Sequence, residues 1–186
     1  KYQRYIYDAT RKYFLLGRDH LIDDLKPPAG GTVLEIGCGT GRNLILAARK
    51  YPDCQFLGFD ISDEMLMTAR RSIERAGLSD RIAVAQGAAP NFDLSSLFDI
   101  QGVDRAFCSY TLSMIPPWEA VLPQGLACLS PDGRFHVVDF GQQEGLPGWF
   151  KPILIKWLTK FSVYPRANLE QAMRAVAIQN GGHLAF

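Results

Sequence analysis

Three glycines at every second position, Gly37, Gly39 and Gly41, are the residues whose type and spacing point most directly to chemistry. They follow Val33 to Ile36, a short run with an apolar bias, and a leucine-rich helical segment follows them at once. A strand that stops in a glycine turn and restarts as a helix is expected to set bare backbone N–H groups beside a ligand. Two ligand classes use such a turn. A dinucleotide site wants G-x-G-x-x-G, with the pyrophosphate on the helix N-terminus. Here the third glycine comes one residue early, and Arg42 stands where that pattern wants glycine. This speaks against a nicotinamide oxidoreductase. The stretch reads E-x-G-x-G-x-G instead, with Glu35 two residues before the first glycine.

A second carboxylate lies in register with the first motif. Gln55 to Asp60 reads as a strand ending on an acid, 19 residues beyond Gly41. A doubly wound fold places a carboxylate there to accept bonds from ribose hydroxyls. The structural alternative is an acid at a helix N-terminus, because Ser62 is a good N-cap and Asp63 and Glu64 fill the first turn. Met65, Leu66, Ala69 and Ile73 give that helix its apolar face, and Gly77 ends it.

The elements that must position these residues alternate. Asn43 to Lys50 reads as a helix, Ile82 to Gln86 as a third strand, and Gly87-Ala88-Ala89-Pro90 as a loop. Asp104 to Ser109 is a fourth strand, running into Tyr110 to Ile115. Pro116-Pro117 opens a helix reaching to about Leu129, in which Pro123 predicts a kink or a late start. Pro131-Asp132-Gly133 is a tight turn, and Arg134 to Asp139 a fifth strand that again ends on an acid. Strand and helix alternating from Thr32 to Phe140 argue for a parallel α/β sheet. Parallel strands put their carboxyl ends on one side, so Ser109, Tyr110 and Met114 are candidates for the wall of the same crevice.

The flanks are aromatic and basic. Tyr2 to Lys26 carries Tyr5, Tyr7, Tyr13 and Phe14 among Arg4, Arg11, Lys12 and Arg18. It reads either as a helix packed on the domain edge or as a lid over a bound cation, and Pro27-Pro28 ends it. In Gly148 to Phe161, Trp149, Ile153, Trp157 and Phe161 recur every four residues, with Lys156 and Lys160 on another face. Such a helix rests on a membrane interface or packs on the core. Leu169 to Gln179 reads as a last helix, and Gly182 to Phe186 as the start of a strand.

Composition sets the bounds. A chain of 186 residues with 47% apolar and 21% charged residues suits one globular domain. A net charge of +1 gives no global steer toward nucleic acid, and no nucleic-acid partner is expected. Cys38, Cys54, Cys108 and Cys128 form no C-x-x-C pair and read as reduced thiols of a cytoplasmic protein. His20, His136 and His183 sit at no metal-ligand spacing, so no metal is expected. No apolar run approaches the roughly 20 residues of a membrane span.

The E-x-G-x-G-x-G stretch with Glu35, its preceding strand and Asp60 resembles the first motifs of the class I S-adenosylmethionine (SAM)-dependent methyltransferases. That resemblance implies a doubly wound, mostly parallel, seven-stranded Rossmann-like sheet, with a closing strand expected beyond Phe186. It implies an N-terminal helical lid over 1–31 and a SAM-binding domain over 32–186, with a basic aromatic helical insertion near 147–163. SAM is the implied cofactor and S-adenosylhomocysteine the product. Gly37, Cys38, Gly39, Gly41 and Glu35 fall around the cofactor's amino-acid end, and Asp60 at its ribose. Ile61 and Met65 flank the adenine, Gly87 and Ala88 lie at its edge, and Ser109 and Tyr110 wall the crevice. Arg18 or Tyr13 closes on the carboxylate. In the family an acid often follows the glycine at position 87; Ala88 stands there, leaving backbone or Gln86 as substitutes.

A narrower resemblance covers Tyr5 to Asp19, Cys38 to Leu44, Ser109 to Pro116 and His136 to Gly141. These stretches are similar to the N-methyltransferases of bacterial betaine-lipid synthesis, which methylate the amine of diacylglyceryl-homoserine three times. It implies a lipid amine acceptor, a place in the cytoplasm peripheral to the inner membrane face, and a base for which Asp139 and Tyr7 are candidates. Phosphatidylethanolamine headgroups, quinones and other small molecules remain alternative acceptors, as does a methyltransferase-like domain that binds without catalysis.

Overall fold

The computed structural model describes residues 17–141, 156 and 163–185. Its described helices and strands run α1 (Gly17–Asp24), β1 (Thr32–Ile36), α2 (Arg42–Lys50), β2 (Gln55–Asp60), α3 (Asp63–Arg75), β3 (Ile82–Gln86), α4 (Leu94–Phe98), β4 (Val103–Ser109), α5 (Trp118–Ala127), β5 (Leu129–Val138) and α6 (Leu169–Gln179), with a 3₁₀ turn at Leu112–Met114 after β4. The strands form one five-stranded parallel sheet in the order β3-β2-β1-β4-β5.

That order follows from burial. β1 lies between β2 and β4, and Val33, Leu34 and Ile36 are fully buried, as a central parallel strand covered on both faces requires. Side chains alternate between two helical layers. Val33 and Phe107 pack with Leu21, Ile22 and Leu25 of α1, Leu44 and Ala47 of α2, and Leu66, Ala69 and Ile73 of α3. Leu34, Ile36, Ala106 and Cys108 pack with Leu94 of α4, Trp118, Val121 and Leu122 of α5, and one face of α6. The chain leaves β1 for β2 and β3, then returns to place β4 on the other side of β1. The topological switch lies between β1 and β4, where a doubly wound fold opens its ligand crevice.

Local chemistry sets the ends of α3. The Ser62 hydroxyl accepts from the Met65 N–H at 3.4 Å, and Gly77 leaves the helix at φ +68°. The C-terminal end of α1 is gripped from two sides. Arg105 on β4 donates to the carbonyls of Leu25 (2.6 Å) and Lys26 (2.9 Å), and the Tyr51 hydroxyl donates to Ile22 and Asp23.

Several expectations are corrected. Pro131-Asp132-Gly133 is no separate turn. It lies inside β5, where pairing passes from Val103–Leu129 to Arg105–Arg134, so the extra residues form a bulge with Asp132 at φ +65°. The helix before it ends at Ala127, and Leu129 already belongs to the strand. α5 starts at Trp118 with Pro123 inside it, so no late start occurs. α4 was not foreseen; Asp93 caps it by accepting from Ser95 and Ser96. His183 to Ala185 form no strand, and five strands, not seven, are present among the described residues. The stretch 147–163 lies outside the described residues apart from Lys156, which is helical and exposed, and buried Val163.

His136 on β5 is neutral. Burial, then the neighbouring Arg105 guanidinium, pushes its imidazole down to about 4, and its Nε2 is buried with no hydrogen-bond partner among the described residues. Asp24 at the end of α1, Lys26 just beyond it and Arg134 are the other charges acting on it. Its folded value is depressed, so its contribution is fully present above about 6.5 and lost as pH falls toward 4. Thermal melts from pH 7 to pH 4 should show a steeper loss of Tm for the wild type than for His136→Phe. Parallel curves would show that His136 does not drive the acid sensitivity.

Candidate functional site

The three glycines of the turn do three different things. All have positive φ: Gly37 +73°, Gly39 +53° and Gly41 +73°. A Cβ on Gly37 would stand 2.3 Å from Cγ2 of Thr111, so this glycine lets the turn close onto the loop after β4. A Cβ on Gly41 would stand 3.1 Å from Cβ of Ala69, so this one seats the start of α2 on α3. Around Gly39 nothing lies within 4 Å of that position. It is the one open face of the three, and it opens at the carboxyl end of the sheet.

The N–H groups of Gly37, Cys38, Gly39 and Gly41 are not bare. Those of Gly37 and Cys38 both donate to the Phe59 carbonyl at 2.9 Å, Gly39 donates to Oδ2 of Asp60 at 2.8 Å, and Gly41 donates to the Cys38 carbonyl at 3.0 Å. The expected cradle of free donors is therefore corrected. The turn is pinned to the end of β2, and what it offers a ligand is a surface stripped of side chains.

Asp60 stands at the centre of this arrangement. Its Oδ1 accepts from the Ser62 N–H at 2.9 Å while Oδ2 holds Gly39. The next residue, Ile61, is 73% exposed, although it is a large aliphatic side chain at the mouth of the crevice. Met65 is half-buried behind it. The Gly87 N–H donates to the Asp60 carbonyl at 3.1 Å, Gln86 donates to the Ile61 carbonyl at 3.2 Å, and Ala88 is exposed. Asp60, Ile61, Gly87 and the Gly39 turn are thus tied together by hydrogen bonds and chain adjacency.

Glu35 lies deeper. It is 1% exposed, and its Oε1 accepts from Asn43 Nδ2 at 2.6 Å. Asn43, on the first turn of α2, was not foreseen as its partner. Cys38 is buried, and burial followed by the charges of Glu35 and Asp60 pushes its thiol far up. A thiol so held is inert as a nucleophile. Gly58 on β2 also escaped notice: a Cβ there would stand 2.6 Å from Leu44 and 2.8 Å from Cys38. A glycine inside a strand is itself the signal of such a close approach.

The far wall is built by the ends of β4 and β5. Ser109 and Tyr110 are buried, and Tyr110 takes φ +56°, a conformation costing a bulky residue of the order of 1 kcal/mol. Its N–H donates to the Val138 carbonyl at 2.7 Å, its ring meets Phe140 edge-on at 4.9 Å, and its hydroxyl accepts from the Gly17 N–H at 3.3 Å. The start of α1 therefore sits over this wall, and Arg18 is buried there, its guanidinium paired with Asp19 at 2.9 Å. Asp139 accepts from the N–H groups of Ser113 (3.0 Å) and Phe140 (2.7 Å), and burial raises its carboxyl above the ordinary range. Tyr7 and Tyr13 lie outside the described residues. Among the described residues no cluster of three His, Cys, Asp or Glu is placed to hold a metal.

Comparison with known proteins decides the family. The sequence profile of the methyltransferase domain matches residues 33–133. The chain belongs to the methyltransferase-domain family. It is 33% identical over 132 residues to the nocamycin O-methyltransferase of Saccharothrix syringae, covering 69% of this chain and 45% of that protein. It is 38% identical over 123 residues to a U6 snRNA (guanine-N(2))-methyltransferase of Mus musculus, covering 61% of this chain and 23% of that protein. The chain thus spans less than half the length of these curated relatives. The geranyl diphosphate C-methyltransferase of Streptomyces coelicolor A3(2), solved with S-adenosyl-L-homocysteine, superposes with a TM-score of 0.68 at 14% identity, covering 88% of this chain and 56% of that one. The fold is the class I methyltransferase fold. One relative is named for an RNA substrate, so family membership gives no ground for the expected absence of a nucleic-acid partner.

For a methyltransferase domain the open face at Gly39, the carboxylate at Asp60 and the exposed apolar Ile61 fit a nucleoside-bearing cofactor without any phosphate site. Two substitutions separate packing from binding. Alanine at positive φ costs about 1–2 kcal/mol by handedness alone. Gly37→Ala should lose roughly 1–3 kcal/mol more, through the clash with Thr111. Gly39→Ala should lose only the handedness cost in urea melts, yet weaken S-adenosylhomocysteine binding in calorimetry at least tenfold. Equal stability losses, or unchanged binding in Gly39→Ala, would contradict this division of labour.

Proposed function

We propose that this methyltransferase domain uses SAM to methylate the amine of a lipid, diacylglyceryl-homoserine, three times in succession to a betaine lipid. The observation that carries the cofactor half is the conjunction at the switch point: the open face of Gly39, the Asp60 carboxylate joined to it at 2.8 Å, and exposed Ile61. SAM supplies a sulfonium methyl group to an amine nucleophile, and S-adenosylhomocysteine is the product. Around it Gly37, Cys38, Gly39 and Gly41 border the amino-acid end, with Glu35 beneath them. Asp60 holds the ribose, Ile61 and Met65 flank the adenine, and Gly87 and Ala88 close its edge. Arg18 or Tyr13 closes on the carboxylate from a lid formed by residues 1–31.

The acceptor side is walled by Ser109 and Tyr110. The amine must lose its proton before attack, and Asp139 or Tyr7 takes it. A carboxyl held above its ordinary range by burial is a better base than a solvated one. The lipid acceptor is supported by the similarity of the stretches Tyr5–Asp19, Ser109–Pro116 and His136–Gly141 to betaine-lipid N-methyltransferases. The tryptophan, phenylalanine and lysine pattern at 148–161 suits a membrane interface, so a peripheral place at the inner membrane face accompanies this reading. Among the described residues no helix is long and apolar enough to cross a membrane.

A second reading rests on the relatives. The names of the nocamycin enzyme and of a trans-aconitate 2-methyltransferase of Variovorax paradoxus, 26% identical over 136 residues, favour a small-molecule acceptor. The full-length protein incubated with methyl-labelled SAM and diacylglyceryl-homoserine in mixed micelles separates the two. The lipid reading predicts products heavier by one, two and three methyl groups, abolished by Asp60→Ala in a folded protein. Binding of S-adenosylhomocysteine without transfer to this lipid would discard the lipid acceptor and leave the small-molecule reading.

A further inference from the structure

The loop Tyr110–Ile115 forms the acceptor-side wall, and its geometry needs outside support. It begins at the left-handed Tyr110 and passes through a single 3₁₀ turn, Leu112–Met114. Internally it makes the bonds from Met114 N–H to the Thr111 carbonyl (2.9 Å) and from Ile115 N–H to the Leu112 carbonyl (3.4 Å). A turn this short leaves carbonyls outside its own ladder, and buried carbonyls need donors. Those donors come from about fifty residues further along the chain. Arg166 donates from Nε to the Leu112 carbonyl at 3.2 Å and from one terminal nitrogen to the carbonyls of Ser113 (3.4 Å) and Ile115 (2.9 Å). The Tyr164 N–H adds a bond to the Ser113 carbonyl at 2.9 Å.

The guanidinium is itself fixed in place, 5.9 Å from the centroid of the Trp118 ring on α5, which is 3% exposed. A planar fork can reach three carbonyls spread over four residues; a lysine ammonium, a point donor on a flexible stem, cannot hold that set. The loop also touches the cofactor side. Cγ2 of Thr111 lies 2.3 Å from where a Cβ on Gly37 would stand, and Oγ1 of Thr111 is 3.5 Å from the Gly37 carbonyl. A shift of Thr111 therefore meets the glycine turn.

We infer that Arg166 is a positioning residue that holds the Tyr110–Ile115 wall against the glycine turn and thereby couples the acceptor side of the crevice to cofactor binding. The inference rests on the cofactor reading above and adds to it a residue that touches neither reactant.

The test compares Arg166→Ala and Arg166→Lys with Arg174→Ala, a control whose exposed ion pair with Glu170 lies on α6. Amide exchange is followed at residues 110–115, and S-adenosylhomocysteine is titrated by calorimetry well below each variant's Tm. Arg166→Ala should speed exchange of the Met114 and Ile115 amides at least tenfold and weaken binding about five- to twentyfold. Added S-adenosylhomocysteine should restore part of the protection. Arg166→Lys should fall nearer to alanine than to wild type, which keeps the test open if the alanine variant does not fold, and Arg174→Ala should match wild type in both readouts. Variants that lose Tm but keep wild-type exchange and affinity would overturn the inference, reducing Arg166 to packing. Faster exchange with unchanged affinity would overturn the coupling alone. Wild-type protein that ignores S-adenosylhomocysteine would overturn the cofactor reading, and the coupling with it.

Discussion

One carbonyl oxygen, that of Phe59 at the end of β2, accepts the N–H groups of both Gly37 and Cys38 at 2.9 Å. The chain can turn there only because Gly37 takes φ +73° and has no Cβ to strike Thr111. That pinning decides the rest of the crevice. It brings Gly39 to the Asp60 carboxylate, orients the left-handed Gly41 that starts α2, and leaves the open face of Gly39 toward the carboxyl end of the sheet. The glycines act mainly through what they allow to approach, and less through the N–H groups they carry.

The crevice is held by buried and half-buried polar groups whose partners come from other elements. Glu35 takes Asn43 from α2, Asp139 fixes Ser113, and Arg166 gathers three carbonyls. A buried charge without such partners would cost several kcal/mol. Each of these bonds therefore ties one edge of the crevice to another element, and the start of α1 is joined to the same wall through the Tyr110 hydroxyl.

Much of the fold was legible in the sequence because a parallel α/β sheet writes itself in local patterns. Apolar runs at β1, β2 and β4, the Ser62 cap and the Gly77 stop each depend on neighbours along the chain, and their boundaries fell within a residue or two. The bulge at Ser130–Gly133 was misread because Pro-Asp-Gly is also a turn signal, and only pairing with β4 absorbs it into the strand. α4 was missed because five residues give too little period to see. At the site, the glycines and Asp60 announced themselves by spacing. Arg166, Thr111, Asn43 and Gly58 did not, since their importance lies in contacts across the sheet that no local pattern encodes. The engaged N–H groups of the turn were hidden for the same reason: their acceptor belongs to another strand.

We propose that the crevice between β1 and β4 takes a nucleoside cofactor on the open face of Gly39, with Asp60 at its ribose. Parallel calorimetric titrations with SAM and with NAD address it most directly. One SAM should bind per chain, NAD should not bind, and the SAM signal should be lost in Asp60→Ala with the far-ultraviolet spectrum unchanged. Binding of NAD without SAM, or SAM binding indifferent to Asp60, would contradict it.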